Sequence, residues 1–141
     1  MASDPSAARC LLGSQAALRW VPLNVAVGVQ CCAEEIERFR LAHRSSVLAR
    51  TIAAWLSHLE RSGRHGAGAA VPDAVAVVLA IDPSLGQWRL RRVVVETRRR
   101  SGCLAFEPGV PNAQVCEGLD AEGVRRILWE SWTKLVEENE R

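Results

Sequence analysis

The chain has 141 residues, of which 48% are apolar and 24% charged, and its formal net charge is +2. These values are typical of a globular domain and exclude the collagen, coiled-coil and long disordered classes. No stretch approaches the ~18–20 uncharged residues that span a bilayer, and five irregularly spaced cysteines argue against a secreted disulfide scaffold. We therefore expect a disordered segment over residues 1–8 and a single domain over residues 9–141, located in the cytoplasm or nucleus.

Strict alternation of apolar and other residues over 21–29 predicts a half-buried strand. From residue 33 to residue 61 the chain contains no Pro or Gly, and its apolar residues recur at three- and four-residue spacing. This pattern predicts one long amphipathic helix, which the Ser62-Gly63 pair would end.

Two apolar runs, 74–81 and 88–97, flank turn-forming residues at 82–86, and this arrangement predicts a β-hairpin. One more short strand is expected near 103–106. Asp120 can cap a closing helix that extends to about Glu138. The sequence thus predicts an α+β fold, in which an antiparallel sheet of three to four strands is covered by the long helix and the C-terminal helix.

No constellation of residues that supports catalysis or binds a metal or cofactor is evident. The motifs C-x-x-C and H-x-x-x-H do not occur, and His43 and His58 are about four helical turns apart if the long helix forms. The glycine-rich segment 63–68 lacks the Lys-Ser/Thr pair of a phosphate-binding loop. We therefore predict no enzymatic activity, no catalytic residues, no metal site and no cofactor.

Tryptophan is the main aromatic residue, with five copies and no tyrosine. Trp55, Trp129 and Trp132 exceed what a small core usually requires, and Trp and Arg are enriched at binding hot spots. They predict a non-enzymatic adaptor or small subunit of an intracellular complex, with Trp129 outside the apolar stripe of the closing helix. The other interpretation is that these tryptophans are core residues, and homo-oligomer formation stays open.

Arginine makes up 17 of the 18 basic residues, and six arginines crowd into residues 89–100. The alternative function is therefore an RNA- or DNA-binding module, in which arginines grip phosphates and a tryptophan stacks on a base. Its candidate residues are Arg89, Arg91, Arg98, Arg99, Arg100 and Trp88. A solvated outer face that protects an edge strand explains the same cluster, and Ser101, which follows three arginines, fits a basophilic kinase motif.

Overall fold

The computed structural model describes residues 4–14, 16–63, 66, 68–96 and 103–140. Its helices are α1 (Pro5–Leu12), α2 (Leu23–Ala26), α3 (Ala33–Ala42), α4 (Val47–Ser62), α5 (Pro72–Ile81) and α6 (Ala121–Asn139). Its strands are β1 (Arg19–Trp20), β2 (Gln30–Cys31), β3 (Ala69–Ala70), β4 (Gly86–Glu96), β5 (Cys103–Glu107) and β6 (Ala113–Leu119). In the described part of the chain no helix is both long and apolar enough to cross a membrane.

The predicted α+β class, with a small sheet and a C-terminal helix, is confirmed. The four-stranded sheet has the order β1-β6-β4-β5. Its pairing is mixed, because β4 runs antiparallel to β5 with Val94 opposite Ala105, whereas β1 runs parallel to β6 with Arg19 opposite Gln114. A parallel pair needs a long crossover connection. The crossover from β1 to β6 includes most of the chain, so local patterns could not reveal it.

The chain divides into two compact units, and each unit contains two segments of sequence. The first unit comprises Met1–Pro22 and Gln87–Gly118, and it contains α1 and most of the four-stranded sheet. Its buried apolar core is formed by Leu12, Val93, Ala113 and Val115. The side chain of Asn112 is hydrogen-bonded to the backbone of the core residue Val93 on β4. Its amide oxygen accepts from Val93 N at 2.7 Å, and its amide nitrogen donates to Val93 O at 3.0 Å.

The second unit comprises Leu23–Gly86 and Leu119–Arg141, and it contains helices α2 to α6. A two-stranded antiparallel sheet joins β2 to β3, with Gln30 opposite Ala70. Leu56 of α4 and Leu79 of α5 are fully buried. Whether the chain is a single folding domain over 9–141 stays a prediction.

The single long helix predicted over 33–61 is wrong in one respect, because the helix is interrupted between α3 and α4. Residue His43 ends α3, and the buried Ser46 begins α4 by accepting a hydrogen bond from Ala49 N at 3.2 Å. A serine at this position satisfies an amide that the first turn of a helix leaves free. The predicted end is confirmed, since Gly63 closes α4 in the left-handed region at φ 60°.

The strand predicted over 74–81 is also wrong, because this segment forms α5. Its run of apolar residues is compatible with a buried strand or a buried helix, and periodicity alone does not separate the two. Pro72 occupies the first turn of α5, where its missing N–H costs nothing. Similarly, the strand predicted over 21–29 contains the short helix α2 instead.

The remaining elements agree more closely with the sequence. Strand β4 matches the second run of the predicted hairpin, β5 the additional strand, and α6 the closing helix, which Asp120 caps by accepting from Gly123 N at 3.0 Å. Strand β6 was not predicted. At the N-terminus, where the sequence predicts disorder, Asp4 caps α1 by accepting from Ala7 N at 2.8 Å.

Candidate functional site

A pocket of about 250 Å³ opens in the second unit, where α4 meets the segment that leads from β3 into α5. Its volume is just below the ~300–1,000 Å³ range of sites that hold drug-sized ligands. The lining residues are Trp55, Leu59, Ser62, Gly68, Ala70, Val71, Pro72, Asp73 and Ala74. Most of them are apolar or small, which is typical of a small-molecule site with few polar groups.

Helix α4 supplies one wall of the pocket through Trp55, Leu59 and Ser62. These residues follow one another at four- and three-residue spacing, which places them on one face of a helix. The side chain of Trp55 is 49% exposed, so much of its indole is available for contact. The Ser62 hydroxyl donates to Leu59 O at 2.6 Å and keeps its oxygen lone pairs as acceptors.

Small residues form the opposite wall. Gly68 and Ala70 belong to the segment around β3, which pairs with β2 and is thereby fixed in position. Ala70 and Val71 are buried. Because these side chains are short, the space in front of the indole stays open.

Asp73 supplies the ionisable side chain among the described lining residues. It lies in the first turn of α5, directly after Pro72, and is exposed. A carboxylate in this position is stabilised by the positive end of the helix dipole. The residue before the helix is Val71, whose side chain has no hydrogen-bond acceptor, so it cannot cap the first amides of α5. The pocket therefore combines an aromatic surface, a carboxylate and backbone donors.

A larger open groove of about 860 Å³ lies in the first unit, but its polar side chains already bind one another. Arg19 donates to the Gln114 side chain at 3.1 Å and lies 5.7 Å from the Trp88 ring centre. The Asn112 amide is held by backbone groups. Arg19, Gln114 and Asn112 are therefore already engaged in hydrogen bonds within the protein.

The tryptophans predicted to bind a partner do not form one surface. Trp129 and Trp132 pack edge to face at 5.0 Å, and Trp129 also contacts Phe39 at 5.3 Å, within a cluster that includes the buried Val136. Both tryptophans are half-buried, which favours the core interpretation over an exposed position for Trp129. Trp55 alone reaches the pocket. Binding of a protein through these residues stays a prediction.

The arginine-rich strand is partly neutralised by an acidic neighbour. Arg91 donates to Glu117 on β6 at 2.6 Å, and Arg89 lies 3.7 Å from the same carboxylate. Trp88 is half-buried. The other candidates, Arg98, Arg99 and Arg100, and the phosphorylation candidate Ser101 lie outside the described residues.

Two further findings concern metal binding and thiol chemistry. Among the described residues, no group of three or more His, Cys, Asp or Glu side chains is placed to hold a metal ion. Burial, aided by the nearby Glu35 carboxylate, raises the pKa of the Cys31 thiol to about 12. Cys31 is therefore protonated near neutral pH and is a poor nucleophile.

Sequence reasoning missed Asp73, because the apolar run 74–81 that follows it predicted a strand. One signal was available, because a Pro-Asp pair before an apolar run is typical of the first turn of a helix. If residues 72–81 are read as a helix, Asp73 lies in its first turn.

Comparison with known proteins gives a consistent result. Residues 1–126 match the family model described as inosine-uridine preferring nucleoside hydrolase. A purine-preferring ribonucleoside hydrolase from Gardnerella vaginalis has a similar fold, with TM-score 0.82 and 21% identity over 94% of this chain and 45% of that one. A plant nucleoside hydrolase gives 0.79 and 23% over 94% and 46%. An inosine-guanosine nucleoside hydrolase gives 0.72 and 25% over 89% and 43%. A search of curated proteins finds no match.

These findings overturn the functional prediction. The chain spans less than half the length of each of these solved structures. The expectations of a non-enzymatic adaptor or complex subunit, and of a nucleic-acid-binding module, are wrong because the matching family is one of hydrolases. The sequence shows no familiar catalytic motif, so the prediction rested on that absence and on the excess of tryptophan and arginine. Since the family model covers most of the chain, this protein belongs to the inosine-uridine preferring nucleoside hydrolase family.

Proposed function

We propose that the pocket between α4 and α5 binds a nucleoside and that the chain serves the hydrolysis of its N-glycosidic bond. The observation that carries this proposal is the meeting of the exposed Trp55 indole and the Asp73 carboxylate in one pocket. A nucleoside has a flat aromatic base at one end and a hydroxyl-rich sugar at the other. The two side chains match these two ends.

The base would lie against Trp55. Stacking of a nucleobase on an aromatic side chain contributes about 1–3 kcal/mol by alanine substitution in single-stranded nucleic-acid complexes. It tolerates different bases, because every base has a π-face. This property suits a family whose description names both a purine nucleoside, inosine, and a pyrimidine nucleoside, uridine.

The ribose would lie at the start of α5. Two neighbouring sugar hydroxyls can donate to the two oxygens of the Asp73 carboxylate, and hydrogen bonds to charged groups contribute about 1.5–3 kcal/mol each. The first amides of α5 can donate to a hydroxyl oxygen, since Val71 provides no side-chain cap. These contacts distinguish a ribose from an apolar group of the same size.

Hydrolysis breaks the bond between sugar carbon C1′ and the base nitrogen. Water adds its oxygen to C1′, and the base leaves with a net gain of one proton, which yields ribose and the free base. Glycosidic bond cleavage proceeds through a transition state with positive charge on the sugar ring. A carboxylate that holds the ribose hydroxyls is attracted to this developing charge, so Asp73 would stabilise the transition state more than the substrate.

The test compares Asp73→Asn with Glu122→Gln. Both residues are acidic and lie in the first turn of a helix. Each substitution removes a negative charge there and so costs a similar amount of helix-dipole stabilisation, about 0.3–1 kcal/mol. Binding of inosine and uridine is measured by calorimetry, and release of the free base is measured by chromatography.

We expect the unaltered chain and Glu122→Gln to bind inosine alike, and Asp73→Asn to bind about tenfold more weakly or worse. Unchanged binding by Asp73→Asn, or no binding by the unaltered chain, would overturn the binding proposal. Binding without release of base would restrict the role of this chain to recognition.

A further inference from the structure

The side chain of Gln30 joins two backbone segments of the second unit. Its oxygen accepts a hydrogen bond from Gly68 N at 3.1 Å, and its nitrogen donates to Val27 O at 3.2 Å. Gln30 lies on β2 and is half-buried. It therefore links the turn before β2 to the glycine-rich segment before β3.

Gly66 and Gly68 fit closely against this side chain. A Cβ atom added to Gly68 would lie 2.8 Å from Gln30 Cβ, and one added to Gly66 would lie 2.9 Å from Gln30 Nε2. Both distances are shorter than real Cβ contacts allow. Gly66 also has φ +118°, a conformation that residues with side chains rarely adopt. Glycine is thus required at position 68 because Gln30 Cβ occupies the adjoining space, and at position 66 because of its backbone conformation.

Gln30 contacts the wall of the pocket without belonging to its lining. Gly68 lines the pocket, as does Ala70, which stands opposite Gln30 in the two-stranded sheet. We infer that Gln30 is a positioning residue, which sets the place of the Gly68 backbone and thereby the width of the pocket in front of Trp55. This inference rests on the proposed function of the pocket.

The chemistry of the amide explains why glutamine is suited to this position. The side chain must accept from Gly68 N–H and donate to Val27 C=O at once, and an amide does both. Methionine has a similar length and offers neither group at comparable strength. Glutamate keeps the acceptor for Gly68 but loses the donor for Val27.

The test uses Gln30→Met and Gln30→Glu, with Gln114→Met as the matched control. Gln114 is also half-buried and hydrogen-bonded through its side chain, but it lies in the first unit and outside the pocket. Three quantities are measured for each protein: the melting temperature, the hydrogen-exchange rate of the Gly68 amide, and the Kd for inosine.

In Gln30→Met, which loses the hydrogen bonds to both Gly68 and Val27, we expect faster exchange at Gly68 and an inosine Kd about fivefold to tenfold higher. Gln30→Glu keeps the acceptor for Gly68, so its amide exchange and inosine Kd should lie between those of the unaltered chain and Gln30→Met. Its melting temperature should still be lower than that of the unaltered chain. Gln114→Met should lower the melting temperature and leave the inosine Kd unchanged. A purely structural contribution of Gln30 would not produce this separation.

The outcomes separate this inference from the proposed function. If the unaltered chain binds inosine and Gln30→Met binds it equally well, Gln30 does not position the pocket, and the proposed function stands. If Gln114→Met weakens binding as much as Gln30→Met, the effect is general and the inference also fails. If the unaltered chain binds no nucleoside, both proposals fail.

Discussion

Removing the indole of Trp55 should weaken nucleoside binding while most of the stability of the fold is kept. In Trp55→Leu the pocket keeps an apolar residue but loses its flat ring. A stacking loss of about 1–3 kcal/mol corresponds to an inosine Kd about 5–150-fold higher. Trp55 is 49% exposed, so its fold contribution derives from roughly 100 Å² of buried surface, or about 2.5 kcal/mol at most. Leucine should retain over half of that amount.

Calorimetric titration with inosine measures this effect, and two further variants control for it. Trp55→Phe keeps an aromatic ring and should lose much less affinity. Val47→Ala alters an exposed residue of the same helix that does not line the pocket, and it should leave the Kd unchanged.

Binding of free ribose tests the Asp73 end of the pocket independently of the Trp55 end. It has no base to stack, so its binding should respond to Asp73→Asn but not to Trp55→Leu. An inosine Kd in Trp55→Leu equal to that of the unaltered chain would refute the stacking argument.

Three predictions concern stability and thiol reactivity. Ser46→Ala removes the buried cap of α4 and should lower the free energy of unfolding by about 0.5–2 kcal/mol in urea titrations; an unchanged midpoint would contradict the capping argument. Asn112→Ala leaves buried backbone groups unpaired in the first unit and should cost about 1–3 kcal/mol in the same assay. A thiol reagent at pH 8 should modify the exposed Cys10 and Cys103 but spare Cys31 until unfolding. Rapid modification of Cys31 in the folded protein would refute its burial. Burial raises the pKa of Cys31 from 9.0 to about 12. The contribution of the protonated thiol to the free energy of unfolding is therefore complete below pH 9 and is lost as the pH rises toward 12.

The elements that the sequence predicted well carry their own start or stop signals. Asp120 precedes a clear apolar stripe, and Gly63 follows one, so the start of α6 and the end of α4 were predictable. The break before α4 was missed because its signal is one serine, Ser46, in a segment without Pro or Gly. Local sequence does not show whether such a serine caps a new helix or lies on the surface of a continuous one.

The candidate site was only partly predictable, for a related physical reason. Trp55 was singled out as an aromatic residue in excess of core needs, and it lines the pocket. Asp73 was missed because the apolar run after it suits a strand as well as a helix, and packing in the second unit decides between them. Gln30 gave no signal, since its significance lies in contacts with Gly68, which is 38 residues away.

Binding of a nucleoside between α4 and α5 can be followed residue by residue if amide resonances are recorded while inosine is added. We predict that the largest shifts occur at the Trp55 indole N–H and at the backbone amides of Gly68, Asp73 and Ala74. The same titration of Asp73→Asn should show these shifts only at higher inosine concentration. If no resonance moved, or if the largest shifts fell in the first unit's groove around Arg19, the nucleoside would not bind in this pocket.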